Sequence, residues 1–130
     1  MRRTAVALGC VLVLGACAGE DGASGGSLGG TAVAPPDGAT EATFVSLDAL
    51  TDDVEAAIAD ASERFGVPEA EVAVAGALDV VWSDGSLGCP EPDMAYTQAL
   101  VDGYLLTIEV GGRRVAYHGE DGGQPFLCED

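Results

Sequence analysis

The stretch TQALVDGYLLTIEVGGRRVAYH, Thr97 to His118, decides the fold. Apolar and polar residues alternate through it, and glycine breaks the alternation at Asp102-Gly103 and again at Gly111-Gly112. Alternation with a period of two marks a half-buried strand. Asp and Gly tolerate the positive φ that a two-residue hairpin turn demands. Read as two tight hairpins, the stretch writes out its own register. Val101 then faces Tyr104, Ala99 faces Leu106 and Thr97 faces Ile108. On the following pair Ile108 faces Val115 and Leu106 faces Tyr117. That face is almost wholly apolar and needs a cover. The opposite face carries Tyr96, Gln98, Leu100, Leu105, Thr107, Glu109, Arg114, Ala116 and His118, with Glu109 directly across from Arg114 as a cross-strand charge pair.

The cover lies upstream. Leu47, Leu50, Val54, Ile58, Ala61 and Phe65 recur at intervals of three and four, the stripe of an amphipathic helix. Asp52, Asp53 and Glu55 near its start and Arg64 near its end suit the macrodipole, with Asp48 or Thr51 as candidate N-caps. Gly66 and Pro68 stop it. Between helix and loop, Val72, Val74, Leu78, Val80 and Trp82 share one parity, with Gly76 as a bend or bulge. Phe126-Leu127-Cys128 closes the chain as a short last strand. The fold class is therefore α+β, one amphipathic helix on a four- to five-stranded antiparallel sheet. What covers the sheet's second face stays open, a dimer mate included.

The ends of the chain speak of address. Arg2 and Arg3 precede an apolar run from Ala5 to Ala16, too short to span a bilayer but the length of a signal h-region. The run ends in Leu14-Gly15-Ala16-Cys17, similar to the bacterial lipobox, a resemblance that makes Cys17 the lipidated first residue of the mature protein. Ala16-Cys17-Ala18 also fits a small-x-small cleavage site and a freely secreted product, and Ala7-Leu8-Gly9-Cys10 is a second, poorer lipobox. Residues 1–16 are read as signal peptide, 17–43 as lipidated Cys and Gly-rich tether, and 44–130 as the folded domain. A tether of this composition cannot order itself and reaches roughly 25–30 Å as a coil. With Cys10 removed and Cys17 acylated, Cys89 and Cys128 remain, and outside the cytoplasm such a pair is most simply a disulfide.

With 22 Asp and Glu against 5 Lys and Arg, the net charge is −17. Phosphate binding needs clustered cations, so nucleic acid is excluded as a partner. Candidate chemistry gathers around the loop WSDGSLGCPEPDMAYTQ, Trp82 to Gln98. Ser83, Ser86, Asp84, Asp93 and His118 supply the residue types of a hydrolytic triad. However, Gly85-Ser86-Leu87-Gly88 lacks the spacing of a nucleophile elbow, and Pro90 and Pro92 forbid a following helix. A Cys89–His118 thiol site conflicts with the disulfide. Asp84, Glu91 and Asp93 do not follow the regular calcium-loop pattern. His118 alone does not make a zinc site and reads as a sheet-face histidine. No cofactor, metal or enzymatic activity is expected.

The loop is stiffened by two prolines and by Cys89, with Trp82 and Tyr96 as bulky posts, and a rigid exposed loop loses little entropy on binding. Trp82, Ser83, Asp84, Ser86, Leu87, Glu91 and Tyr96 are the candidate binding residues, with Ser83–Glu91 the exposed part. A non-enzymatic binding or accessory module is the first reading. A protease inhibitor using the loop around Leu87 is the second, and a hydrolase using His118 a distant third. The expected partners are the membrane, through Cys17, and an unidentified protein or cell-envelope component.

The run Trp82-Ser83-Asp84-Gly85-Ser86-Leu87-Gly88-Cys89-Pro90-Glu91-Pro92, followed by Met94, Tyr96-Thr97-Gln98, Gly103-Tyr104, Tyr117-His118 and Cys128, resembles a pattern in an uncharacterised family of small exported bacterial lipoproteins. The resemblance spans roughly Val72 to Cys128. It implies the Cys89–Cys128 pairing and a domain of this extent, and brings no substrate, cofactor or catalytic residue.

Overall fold

The computed structural model describes residues 31–129. The export signal, both lipobox readings, Cys17 and the first part of the tether lie outside the described residues. Five strands form one antiparallel sheet in sequence order: β1 Ala39–Phe44, β2 Ala73–Trp82, β3 Val101–Val110, β4 Arg113–Glu120 and β5 Phe126–Cys128. One helix, α1 Thr51–Phe65, crosses between β1 and β2 and packs on one face. The class is the expected one, α+β with one disulfide between Cys89 and Cys128 at a separation of 39 residues.

The second turn signal forms as written. Gly111 and Gly112 both take positive φ, 58° and 76°, and close Val110 against Arg113. The register follows: Ile108 faces Val115, Leu106 faces Tyr117, and Glu109 faces Arg114. The Arg114–Glu109 pair is made at 2.8 Å but both side chains are exposed, which limits its worth to about 1 kcal/mol or less.

The first turn signal does not form. Strand β3 runs unbroken through Asp102-Gly103 and pairs with β2, setting Ala77 against Leu106, Val74 against Ile108 and Asp79 against Tyr104. Thr97 to Leu100 form no strand, so the expected pairings of Ala99 and Thr97 are replaced. The physical reason is that Gly103 serves close packing, not a turn. A Cβ there would collide with the Gly119 carbonyl and sit 2.8 Å from the Trp82 indole nitrogen.

Strand β2 carries the bulge expected near Gly76, between Val74 and Gly76. An extra residue reverses which side chains face which layer. Val74 and Ala77 therefore pack under the helix, while Leu78, Val80 and Trp82 turn to the other face. The single parity expected from Val72 to Trp82 is thus split in two, and the sheet has a core on each side.

On the first side Leu50, Val54, Ala57, Ile58, Ala61 and Phe65 seat on Tyr104, Leu106, Ile108 and Tyr117. Two phenols pin the helix from below. Tyr117 Oη donates to Asp60 Oδ2 at 2.7 Å, and Tyr104 Oη lies 2.8 Å from Asp53 Oδ1 and 3.0 Å from the Gly123 carbonyl. Asp53 and Asp60 stand two turns apart on one helix face. Burial, then the neighbouring carboxylate, pushes both phenols well above the usual tyrosine range. Neither Asp48 nor Thr51 caps the helix. A 3-10 turn, Leu47–Leu50, leads into it, and the side-chain cap moves back to Ser46, whose Oγ accepts from the Asp48 amide. Gly66 ends the helix at φ 64°.

Order begins earlier than Phe44. β1 forms the sheet edge within the stretch expected as tether, and Ala32 bridges to Thr43.

Replacing Tyr117 by Phe leaves the ring's packing and removes its donor, so urea unfolding should show a loss of about 1–2 kcal/mol. Arg114→Gln should change stability by less than about 0.5 kcal/mol. Equal effects would contradict the pinning role of Tyr117.

Candidate functional site

Trp82 ends β2 with its side chain fully buried on the second face. An indole N–H taken from water needs an acceptor, and Nε1 donates to the Gly119 carbonyl at 2.9 Å. The His118 ring stacks on the indole, centroids 4.7 Å apart and planes within 14°, and Phe126 tilts against His118 with centroids 6.1 Å apart. His118 Nδ1 lies 2.6 Å from the Leu87 carbonyl. A carbonyl only accepts, so Nδ1 carries the proton in this contact.

The loop from Ser83 folds down onto this stack. Gly88, at φ 71°, lies flat on the indole; a Cβ there would come within 2.5 Å of Cζ3 and 2.9 Å of the Asp37 carbonyl. Gly38 is pressed in turn against the Gly88 backbone, and the Ser83 amide donates to the Gly38 carbonyl at 2.9 Å. Asp84 Oδ1 accepts from both the Ser86 amide (2.8 Å) and the Ser86 hydroxyl (2.5 Å). These two bonds favour the anion and hold the Asp84 carboxyl below its ordinary range. The Gly85 amide donates to Thr97 O at 2.9 Å, and the Glu91 amide to Tyr96 Oη at 2.9 Å. Cys89 is bonded to Cys128 on β5, across from Ala116 of β4.

The loop therefore has two halves. Ser83–Cys89 is an inner half, seated on Trp82, with Ser86 only 7% exposed and Leu87 packed beside Val80 and Leu105. Pro90–Leu100 is the outer half, exposed throughout except for Tyr96, with Met94 58% and Leu100 67% accessible. The expected exposed part, Ser83–Glu91, is thus corrected: Ser86 and Leu87 face inward because the chain must cover Trp82. Asp84 is also half-buried, while Ser83 and Glu91 are exposed. Trp82 is a core residue and offers nothing to a ligand. The second face at this end is covered by the chain's own loop together with Val33 and Ala39.

This placement bears on the catalytic readings. Ser86 and His118 are both buried, the serine hydroxyl donates to Asp84, and the histidine carries the Leu87 carbonyl under two aromatic rings. Among the described residues no three His, Cys, Asp or Glu side chains gather closely enough to hold a metal ion. Leu87 has φ 54° and a bonded carbonyl, whereas an inhibitory loop must offer its central residue extended and exposed to the protease.

Sequence reasoning missed the glycines. Gly38, Gly88, Gly103 and Gly119 each sit where a side chain would strike a ring or backbone, yet in the sequence each reads as a turn or a strand interruption. It also missed an acidic hollow of about 270 Å³ on the helix side, lined by Glu41, Asp79, Asp102 and Asp121. There burial, then Asp121, pushes the Asp79 carboxyl upward.

These features define a small α+β domain whose disulfide-tied loop caps a buried Trp–His stack. The chain belongs to the family described as a Domain of unknown function (DUF8738), whose model matches residues 54–128. The match runs from the first turn of α1 to Cys128 and so includes the whole loop and both cysteines of the bond. No curated protein and no solved structure matches the chain.

Gly88→Ala and Gly122→Ala separate packing from backbone conformation. Both positions have positive φ, but a Cβ at Gly122 meets nothing within 4 Å. Gly122→Ala should cost about 1–2 kcal/mol, and Gly88→Ala at least about 3 kcal/mol, since strain and collision add. Matching losses in denaturant unfolding would contradict the seating of the loop on Trp82.

Proposed function

We propose that this protein is a lipid-anchored extracytoplasmic lipoprotein that acts as a non-enzymatic binding or accessory module. Its recognition surface is the outer half of the loop, Pro90–Leu100. The observation that carries this reading is the division of the loop. The inner half is bonded and packed at nearly every residue, so the outer half is displayed on a fixed base. It holds large apolar side chains in water: Met94 and Leu100 are more than half exposed. Pro90 and Pro92 fix φ at two positions and the disulfide holds the near end. Exposed apolar groups on a preorganised loop suit protein contact, because little conformational freedom remains to be lost.

The lipobox-like Leu14-Gly15-Ala16-Cys17 supports anchoring through Cys17, with the Gly-rich stretch as tether and the domain facing away from the cytoplasm. No helix among the described residues is long and apolar enough to cross a membrane. The partner would be a protein or other component of the cell envelope. The inward placement of Leu87 weighs against protease inhibition, and the burial of His118 and Ser86 weighs against hydrolysis.

Crosslinking in intact cells tests both parts. The doubly substituted Met94→Asp, Leu100→Asp protein should fold, keep its disulfide and lose the crosslinked species that the wild type forms. Cys17→Ala should shift the protein from the membrane fraction to the medium. Undiminished crosslinking in the double variant would remove the loop as the contact surface. Membrane retention of Cys17→Ala would remove the anchor.

A further inference from the structure

We propose that the hollow between the end of α1 and the β4–β5 edge binds a small amphiphilic carboxylate, with Arg113 as the carboxylate's partner. This site is separate from the loop. The hollow measures about 370 Å³ and its apolar walls are Phe65, Val115 and Leu127, with Arg113, Arg114 and Glu129 on its rim. That volume and that balance of apolar wall to a few polar groups match small-molecule sites in general.

Arg113 and Arg114 also border a hollow with Glu71 and Glu109 beside the Gly111-Gly112 turn, but Phe65, over which Arg113 is held, lines only this one. The chain has only 5 basic side chains against 22 acidic ones, and two of the five stand on this rim. Among the described residues the ion pairs are Arg64–Asp60 and Arg114–Glu109, so two arginines already have carboxylates. Arg113 has none within ion-pair distance among those residues. Its guanidinium is held instead over the Phe65 ring, 5.4 Å from the centroid. A guanidinium positioned this way has less freedom to lose, and its planar set of donors fits a carboxylate with two parallel bonds.

The sheet edge supplies the opening. β5 pairs only with Ala116, Tyr117 and His118 of β4, so the start of β4, at Arg113 to Val115, is the rim and not an interior strand. A hydrocarbon tail would lie along Phe65, Val115 and Leu127, removing apolar surface from water, while the head meets Arg113. The Arg113 end thus offers an anion a cationic partner on an acidic surface; the hollow at Glu41, Asp79, Asp102 and Asp121 has the opposite field. Glu129 on the rim and the net charge of −17 oppose the ligand and make the affinity modest.

The test is an amide-resolved NMR titration of the purified full chain in its disulfide-bonded form, with sodium octanoate and with octan-1-ol as separate probes. Octanoate should give saturable shifts centred on Phe65, Arg113–Ala116 and Leu127–Glu129. Octan-1-ol should bind about tenfold more weakly, and so should octanoate to Arg113→Gln, since a charge-assisted hydrogen bond is lost in each. Arg113 is exposed, so the variant keeps the fold, which unchanged shifts elsewhere will verify. Arg113→Lys should fall between the two, keeping the charge without the paired donors. Absence of saturable shifts in that region, equal binding of octan-1-ol, or an unchanged affinity in Arg113→Gln would each overturn the site.

Discussion

The burial of Trp82 organises the second half of this structure. An indole is too large and too flat to be covered by side chains alone on a sheet face this small. The chain meets the problem with backbone. Gly88 lies against the ring, Gly103 passes beneath it, and Gly119 presents the carbonyl that takes the indole proton. His118 supplies the one matching flat surface and ties itself to Leu87 O. Truncating a buried tryptophan typically costs about 3–5 kcal/mol, a large part of the margin of a domain this size. Gly88 and Gly103 are held to hydrogen by this ring, while Gly119 is also closed off by the Tyr104 ring on the helix side.

The helix side obeys a different logic. There the sheet offers a ladder of aliphatic and tyrosine side chains, and the helix offers a stripe to match, so apolar area does most of the work. Tyr104 and Tyr117 add direction, each reaching a helix aspartate. They fix the helix along its axis, which area alone leaves loose. The bulge in β2 joins the two sides. By reversing the parity between Val74 and Ala77, it lets one strand feed the helix core with its first half and the tryptophan core with its second. The Cys89–Cys128 bond then ties the loop to the last strand; closing a loop of 39 residues contributes roughly 4 kcal/mol in the chain-entropy picture.

Much of this was legible in the residues. Local patterns carried the helix, the Gly111-Gly112 hairpin, the Glu109–Arg114 register and the bulge at Gly76, because each rests on neighbours in the chain; the cysteine pair, 39 residues apart, came from elimination among four cysteines. The misread feature was Asp102-Gly103. A hairpin turn and a glycine that makes room for a ring from another strand look the same in one sequence. Telling them apart requires the pairing of β2 with β3, which are separated by the whole loop. The same blindness hid β1, since its Gly- and Ala-rich surroundings resemble a tether until a sheet edge exists for it to join. For the candidate loop, the expected exposed part was Ser83–Glu91, and the exposed stretch is 90–100. Ser86 and Leu87 look like the exposed tip of a proline-stiffened loop, but the need to cover Trp82 turns them inward and leaves Met94 and Leu100 outside.

If the loop is a lid first and a recognition surface second, its state can be read directly from the ring it covers. Trp82 is the chain's single tryptophan, so intrinsic fluorescence reports on it alone. The most direct measurement is acrylamide quenching of that emission in the oxidised protein, repeated on Gly88→Ala under native conditions. The oxidised wild type should show blue-shifted emission nearly inaccessible to quencher, and Gly88→Ala should show a red shift with markedly stronger quenching. A solvent-exposed spectrum in the wild type, or identical shielding in the two proteins, would contradict the account that the loop exists to bury Trp82.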